Sequence, residues 1–403
     1  MVQFVALGEA VTAIYNNPGW SLVYGRRKVG KTFLIENFVK YDVYFSVRID
    51  RSIFCKGFVV NELADLNTFK NSITDLLENG KIVVIDEFQR LPIKLIEDIS
   101  KIHPKGKLIL TGSSLRVSSA ILGQNSPLLG LLRPFKIGLI QPTSIIKTLS
   151  PYLNAEEIIE IAPFFRDPWT IPFYSKAGFL EGITQMIPFV VPGLIGEIFR
   201  EDQRELTQTY SSILSLIGQG YINHHEIANI LFSRGMIGSS ATSSVIPYMK
   251  NMHVMGLLEK VRIFGKKKEV YKIPSFVINL YYYLQSRYNI TEREFKFSEV
   301  KPAVINILNL AIEDILADIF AESLGGRKEI LKTDQTELDI LITVRNKPAL
   351  VGEVKWGNIT KSNISRFLEK VNNFNCRKVL VTKKKMGTEE VEIIIPKEVI
   401  NIF

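Results

Sequence analysis

Cysteine is nearly absent from this chain: two occur in 403 residues, Cys55 and Cys376, far apart in sequence. No C-x-x-C pair and no Cys/His cluster exists, which removes a zinc site and a disulfide framework from consideration and points to a reducing, intracellular setting. Long apolar runs are missing too. The start Met1-Val2-Gln3-Phe4 has neither a basic n-region nor an apolar core, so no signal peptide is expected. The most apolar stretch, Ile183 to Ile198, is interrupted by Pro188, Pro192, Gly193 and Gly196. It falls short of the ~18 clean apolar residues of a membrane span and is expected to be a packed segment, with no membrane partner and a cytoplasmic location. A composition of 46% hydrophobic and 23% charged residues leaves little room for disorder. The net charge of +9 makes an anionic partner plausible. The length suits about two to four domains, each with its own core.

Against these absences stands one dense motif. Tyr24-Gly25-Arg26-Arg27-Lys28-Val29-Gly30-Lys31-Thr32 fits G-x-x-x-x-G-K-[ST], the phosphate-binding loop, after the apolar run Trp20-Ser21-Leu22-Val23 and before the helical Phe33-Leu34-Ile35-Glu36-Asn37-Phe38. Two glycines let backbone N–H groups wrap a phosphate, and the helix beginning near Gly30 offers its positive end to the same anion. Residues Gly25 through Thr32 are therefore the expected nucleotide-binding set. Lys31 would reach the β and γ phosphates of ATP and the Thr32 hydroxyl would ligate Mg²⁺.

Residues 1–142 alternate short apolar strands with helices, the pattern of an α/β domain with a mostly parallel sheet. Strands are expected at Tyr41–Val47, at Lys81-Ile82-Val83-Val84-Ile85-Asp86 and at Lys107–Thr111, with a helix over Asn67–Leu77. The second of these delivers Asp86 and Glu87 at its carboxyl end, where open α/β sheets bind ligands. Asp86 is placed to hold Mg²⁺ and Glu87 to orient and deprotonate an attacking water. Thr111, Ser113 and Ser114 are sensor candidates that the sequence does not separate.

Taken together, Gly25–Thr32, Val84-Ile85-Asp86-Glu87-Phe88-Gln89 and Leu110-Thr111-Gly112-Ser113-Ser114 resemble the archaeal ATPase family, a branch of the AAA+/STAND group of P-loop NTPases. The resemblance covers roughly the first 280 residues and implies a nucleotide-binding core, a helical lid over 143–203 and a winged helix-turn-helix over 204–280. Two departures stand out. The family's Gly-Arg pair after the sensor strand corresponds to Gly130-Leu131-Leu132-Arg133, which displaces Arg133 from an arginine-finger role. Its Gly-Gly-x-Pro corresponds to Trp169-Thr170-Ile171-Pro172, with Pro172 on the adenine side.

The periodicity of 204–280 gives helices from Arg204 to Ile217, His225 to Leu231 and Ser239 to Met252, then a hairpin around Phe264-Gly265-Lys266-Lys267-Lys268. In a winged helix the third helix and the basic wing would meet double-stranded DNA; such modules also serve as packing domains. Residues 281–300, with Tyr281-Tyr282-Tyr283, read as a connecting helix and linker.

Residues 301–403 form a further domain. A helix over Ile305–Ser323 carrying Glu313, strands at Glu337–Ile342, Ala349–Trp356 and Lys378–Thr382, and a helix at Lys361–Phe374 bring Asp339 near Glu353-x-Lys355. This arrangement resembles the PD-(D/E)xK nuclease-like domain carried by some archaeal ATPases. Alternation along a strand puts Glu353 and Lys355 on one face beside Asp339, so Asp339 and Glu353 would share a divalent metal while Lys355 steadies the water or the phosphate charge. The chain thus reads as an α/β P-loop ATPase using ATP and Mg²⁺, a nucleotide-gated switch acting with DNA. An ATP-regulated DNA nuclease and an ATP-binding signalling scaffold are the alternatives.

Overall fold

The computed structural model describes residues 8–57, 66–114, 118, 121–124, 126, 128–202, 204–332, 337–357, 359–385 and 391–402. Met1–Phe4, on which the reading of the chain's start rests, lies outside them. Short, largely apolar runs are too short for core helices and form strands, the central ones buried on both faces. Six of them make one sheet: β1 (Trp20–Tyr24), β2 (Val43–Val47), β3 (Ile53–Lys56), β4 (Ile82–Asp86), β5 (Lys107–Gly112) and β6 (Leu132–Lys136). Their order is β3-β2-β4-β5-β1-β6, parallel except for β3. Side-chain alternation sorts the core into two layers. Trp20, Leu22, Phe45, Val83 and Ile85 point to one face and pack with Phe69 and Ile73 of helix Leu66–Glu78. Val23, Val84 and Ile109 point to the other and pack with Leu34 and Ile35 of helix Lys31–Phe38.

Helices Pro142–Leu149, Ala155–Phe165 and Phe179–Glu201 follow. The last runs unbroken for 23 residues although it contains Pro188 and Pro192. One stripe, Ile183, Ile187, Pro188, Val191, Leu194, Ile195 and Ile198, is buried along its whole length, and that packing outweighs the lost backbone bonds. By length and composition this helix would suffice to cross a membrane, and half of its most apolar 18-residue window is buried inside the protein.

Helices Gln208–Gly218, His224–Ser233 and Ile246–Val254 lead into a hairpin of β7 (Glu259–Ile263) and β8 (Glu269–Lys272). The third helix does not open at Ser239. Ser and Thr compete for backbone hydrogen bonds, and this stretch forms only a single 3₁₀ turn, Thr242–Ser244, before Ile246. The tyrosines expected in a linker are core instead: Tyr282 and Tyr283 are buried in helix Phe276–Tyr288, which packs on helix Gln208–Gly218 and on the long helix Phe297–Ser323. The latter begins eight residues before the expected Ile305, because Val300, Ala303 and Val304 extend its buried stripe.

β9 (Arg327–Lys332), β10 (Glu337–Leu338), β11 (Ile340–Val344), β12 (Lys347–Lys355), β13 (Arg377–Thr382) and β14 (Glu392–Ile394) complete the chain with helices Lys361–Lys370 and Pro396–Ile400. Here β7 pairs in parallel with β9 through Arg262 and Ile263, so hairpin and C-terminal strands form one sheet, ordered β14-β13-β12-β11-β9-β7-β8, with β10 on β9. Buried charges hold this joint. Lys328 lies 2.9 Å from Asp314 and 2.7 Å from Asp318, and Arg166 reaches Asp318 at 3.0 Å.

Inside the sheet β12 lies between β11 and β13 with Gly352 opposite Ile340 and Val379. A Cβ there would stand 2.7 Å from Val379 Cγ2 and 3.1 Å from its carbonyl oxygen. Gly352→Ala is therefore expected to destabilise the protein by about 1–3 kcal/mol through overpacking, read as a lower urea midpoint. An unchanged midpoint would contradict this packing.

Candidate nucleotide site and a second acidic site

The phosphate loop leaves β1 at Tyr24, and its first glycine is demanded by a neighbour: a Cβ on Gly25 would lie 1.9 Å from the Ile137 carbonyl oxygen, just after β6. Lys28 and Gly30 both have left-handed backbones, with φ of 65° and 89°, which turns the chain into helix Lys31–Phe38. Lys31 is buried, and its Nζ donates to the Gly25 and Arg26 carbonyls, both at 2.9 Å. Burial lowers its pKa to about 8, helped by Arg27 and opposed by the Glu87, Asp86 and Glu201 carboxylates.

Strand order brings the other groups to this loop. β5 separates β4 from β1, so the carboxyl ends of all three meet, with Thr111 in register with Asp86 on one side and Val23 on the other. Thr32 Oγ1 donates to Asp86 Oδ2 at 3.0 Å, and the Tyr44 hydroxyl donates to the same oxygen at 2.6 Å. Burial and the adjacent carboxylate push the Tyr44 hydroxyl far above its ordinary pKa, so it stays a donor. Among the described residues no three His, Cys, Asp or Glu side chains gather to hold a metal. Thr32 and Asp86 nevertheless fit Mg²⁺: one hydroxyl and one carboxylate, both hard oxygen donors, are what the ion takes from protein when nucleotide phosphate and water complete its shell.

Glu87 follows on a left-handed backbone, φ 56°, a conformation that is costly outside glycine and typical of active-site turns. Its Oε2 accepts from Gln89 Nε2 at 2.5 Å and from Ser113 Oγ at 3.0 Å. The three sensor candidates thus separate. Ser113 reaches Glu87; Ser114 donates to Asp202 at 2.8 Å; Thr111 is buried in the sheet with its hydroxyl unpartnered.

Several residues of this site escaped the sequence reading because they come from far away. Asp167, fully buried, accepts from Arg26 Nη2 at 2.5 Å and from the Ser275 hydroxyl at 2.7 Å. Glu197 and Glu201 pair with Arg27, and Arg90 donates to Glu201 at 3.0 Å. Gln89 alone carried a signal, since it stands two residues after Glu87 within the strand-end motif. Pro172 is exposed near the end of the 3₁₀ segment Pro168–Phe173, and Pro168 approaches Gly30. A proline four residues earlier is what the short Asp167 connection brings to the loop. Arg133 is exposed on β6 with its guanidinium 5.3 Å from the Phe135 ring centre.

In the C-terminal sheet the antiparallel pair β11–β12 sets Ile340 opposite Gly352, which brings Asp339 beside the Glu353–Val354 segment. Asp339 Oδ2 accepts from the Val354 N–H at 2.8 Å. Buried Glu353 is 3.1 Å from Lys355 Nζ and 2.8 Å from Lys370 Nζ, a partner from helix Lys361–Lys370 that the spacing did not reveal. Burial would raise the Glu353 pKa, and the two lysines outweigh it and hold the carboxyl below its ordinary value. Asp339 is raised, chiefly by burial, and Glu313 is pushed up to about 8 by burial and by Asp339. Glu313 and Asp339 both line a cavity of about 460 Å³. Among the described residues no three carboxylates gather closely enough to hold a cation, and Glu353 is already paired with two lysines.

Residues 17–127 match the AAA domain family. The chain is similar over most of its length to an uncharacterised protein of Methanocaldococcus jannaschii, with 25% identity covering 90% of this chain and 88% of that one. Among solved structures it is similar to a Walker-type ATPase of Pyrococcus abyssi, at 19% identity and a TM-score of 0.49, covering 69% of this chain and 93% of the other. It is also similar to the Aeropyrum pernix ORC2 protein, at 13% identity and a TM-score of 0.42, covering 74% and 92%. The family match and the loop together support ATP binding by the N-terminal part of the chain.

Lys31 gives this site a proton signature. Below pH 8 it is already charged in the free protein, whereas above pH 8 it must take up a proton to meet a phosphate. ATP affinity is expected to fall as pH rises above about 8, approaching tenfold per unit. Calorimetric titrations in buffers of different ionisation enthalpy should find proton uptake near zero at about pH 7 and approaching one proton well above the Lys31 pKa. Pure proton release over that range would remove Lys31 from phosphate contact.

Proposed function

We propose that the chain is an Mg²⁺-dependent ATPase whose nucleotide state governs how its C-terminal half engages double-stranded DNA. The observation carrying this reading is the convergence of Lys31, Thr32, Asp86 and Glu87 on one loop, with Ser113 and Gln89 fixing the Glu87 carboxylate. Lys31 binds the β and γ phosphates, the backbone of Gly25–Gly30 wraps them, and Thr32 and Asp86 hold the ion. Bound Mg²⁺ supplies charge neutralisation at the β and γ oxygens. Glu87 orients the attacking water and accepts its proton, and Ser113 and Gln89 keep that oxygen pair aimed. The coupling is supported by a continuous chain of buried bonds: Arg26 of the loop to Asp167, Asp167 to Ser275, and Ser275 to the Ile278 N–H it caps at 3.3 Å. Helix Phe276–Tyr288 then contacts both helix Gln208–Gly218 and helix Phe297–Ser323. On the winged-helix reading, the exposed Lys266, Lys267 and Lys268 at the hairpin tip meet DNA phosphates.

A second reading, DNA cleavage in the C-terminal domain, is favoured by one observation: Asp339, Glu353 and Lys355 stand together as the nuclease-like arrangement requires. Lys370 on Glu353 counts against a ready site, since a metal would have to displace its ammonium.

Two measurements separate these readings. ATP turnover of Glu87→Gln is expected to fall about 100-fold or more against wild type while nucleotide binding persists, with DNA changing the wild-type rate. Equal rates would remove Glu87 from its role, and a rate and a DNA affinity indifferent to each other would end the coupling. Mg²⁺- or Mn²⁺-dependent nicking that disappears in Asp339→Ala and Lys355→Ala, with ATP binding intact, would establish the nuclease. Absence of nicking in wild type would dismiss it.

A further inference from the structure

Hydrolysis of a triphosphate needs positive charge at the terminal phosphate beyond that of one lysine, and Arg133, exposed on β6, is in no position to supply it. Two other guanidinium groups flank Glu87 instead. Arg27, in the phosphate loop itself, has Nη1 3.9 Å from Glu87 Oε1, and Arg90 has Nη2 3.7 Å from Glu87 Oε2. Arg27 is the one whose backbone belongs to the phosphate cradle. Arg90 is anchored elsewhere, donating to the Val47 carbonyl at 2.8 Å.

The groups around Glu87 converge on a foreign carboxylate. Glu201, the last residue of helix Phe179–Glu201, accepts from Gln89 at 2.8 Å, from Arg90 at 3.0 Å and from Arg27 at 3.3 Å. Glu197, one turn earlier, takes the Nε of Arg27. An anionic group whose oxygens accept from two guanidinium groups and an amide occupies the role a phosphoryl group would take there. A carboxylate and a terminal phosphate cannot both occupy this donor set, because like charges at such separation repel.

We propose that Arg27 contacts the terminal phosphate of bound ATP, and that Glu201 holds Arg27 whenever that phosphate is absent. Triphosphate and Glu201 then compete for one guanidinium, so arrival of ATP frees the end of helix Phe179–Glu201. That helix contacts helices Phe276–Tyr288 and Phe297–Ser323, through which its release reaches the C-terminal half. A diphosphate leaves Glu201 in place. This inference rests on the ATPase reading and adds to it the group that distinguishes ATP from ADP.

The test uses the full chain with Mg²⁺ and compares the affinities of ADP and the non-hydrolysable triphosphate AMP-PNP. Arg27→Ala is expected to weaken AMP-PNP about tenfold or more, the effect of one charge-assisted contact, and ADP by a clearly smaller factor, with the ADP binding that remains reporting an intact fold. Arg27→Lys should recover part of the loss. Glu201→Gln should tighten AMP-PNP by several-fold and leave ADP unchanged. Equal loss of both nucleotides in Arg27→Ala, or a triphosphate preference that is lost in Arg90→Ala but kept in Arg27→Ala, would overturn the assignment to Arg27 alone. No effect of Glu201→Gln would overturn the competition. Failure of wild type to bind either nucleotide would overturn this inference together with the ATPase reading.

Discussion

Asp167 is the residue on which the arrangement of this protein hangs. A carboxylate with no exposure to water is tolerated only when its charge is answered, and Asp167 is answered from two directions, by Arg26 of the phosphate loop and by Ser275 ahead of helix Phe276–Tyr288. Removing either partner leaves a buried charge or a buried donor uncompensated, so loop, lid turn and C-terminal helix are constrained to meet at one point. Arg26 keeps Nη1 unpartnered in this joint, although the side chain is buried. The nucleotide loop is therefore not a surface feature of one domain but is wired to residues more than two hundred positions away.

The same logic of compensated charge organises the phosphate site. Lys31, Arg27 and Arg90 face Asp86, Glu87, Glu197 and Glu201 across a small region, and each positive group is held by oxygens that a phosphate could replace. Glu201 is held below its ordinary pKa because Gln89, Arg90 and Arg27 together outweigh the burial that would raise it. Such a network is poised and not slack: its groups are ordered before any ligand arrives, and their carboxylate partners come from a helix that packs against the rest of the chain.

Further along, the hairpin β7–β8 merges with the C-terminal strands into one sheet, and the largely buried cluster of Lys328, Asp314, Asp318 and Arg166 ties that sheet to helix Phe297–Ser323 and to the end of helix Ala155–Phe165. Buried ion pairs contribute little net stability but specify register strongly, since any slip leaves a charge alone. Thr143 donating to Glu322, and Lys383 pairing with Glu156 and Glu160, extend the same seam.

Much of this was legible in the residues. The loop Gly25–Thr32, the strand ending in Asp86-Glu87 and the alternation that sets Glu353 and Lys355 together are local patterns, with periods and spacings fixed by backbone geometry, and they survive in the fold. What escaped was everything decided at long range. The unbroken course of helix Phe179–Glu201 through its two prolines rests on buried packing, Pro168 reaches the loop from a distant 3₁₀ segment, and the tyrosines of the expected linker became core. Glu201, Asp167 and Lys370 take their meaning from partners brought close by topology, and no spacing along the chain encodes that proximity. The sequence by itself determined where the phosphate-loop motif lies, because that pattern needs only eight consecutive residues, Gly25 to Thr32, between a strand and a helix. Only the tertiary structure decided which carboxylates stand in for that phosphate and which helix they belong to, because buried charges choose partners by distance in space.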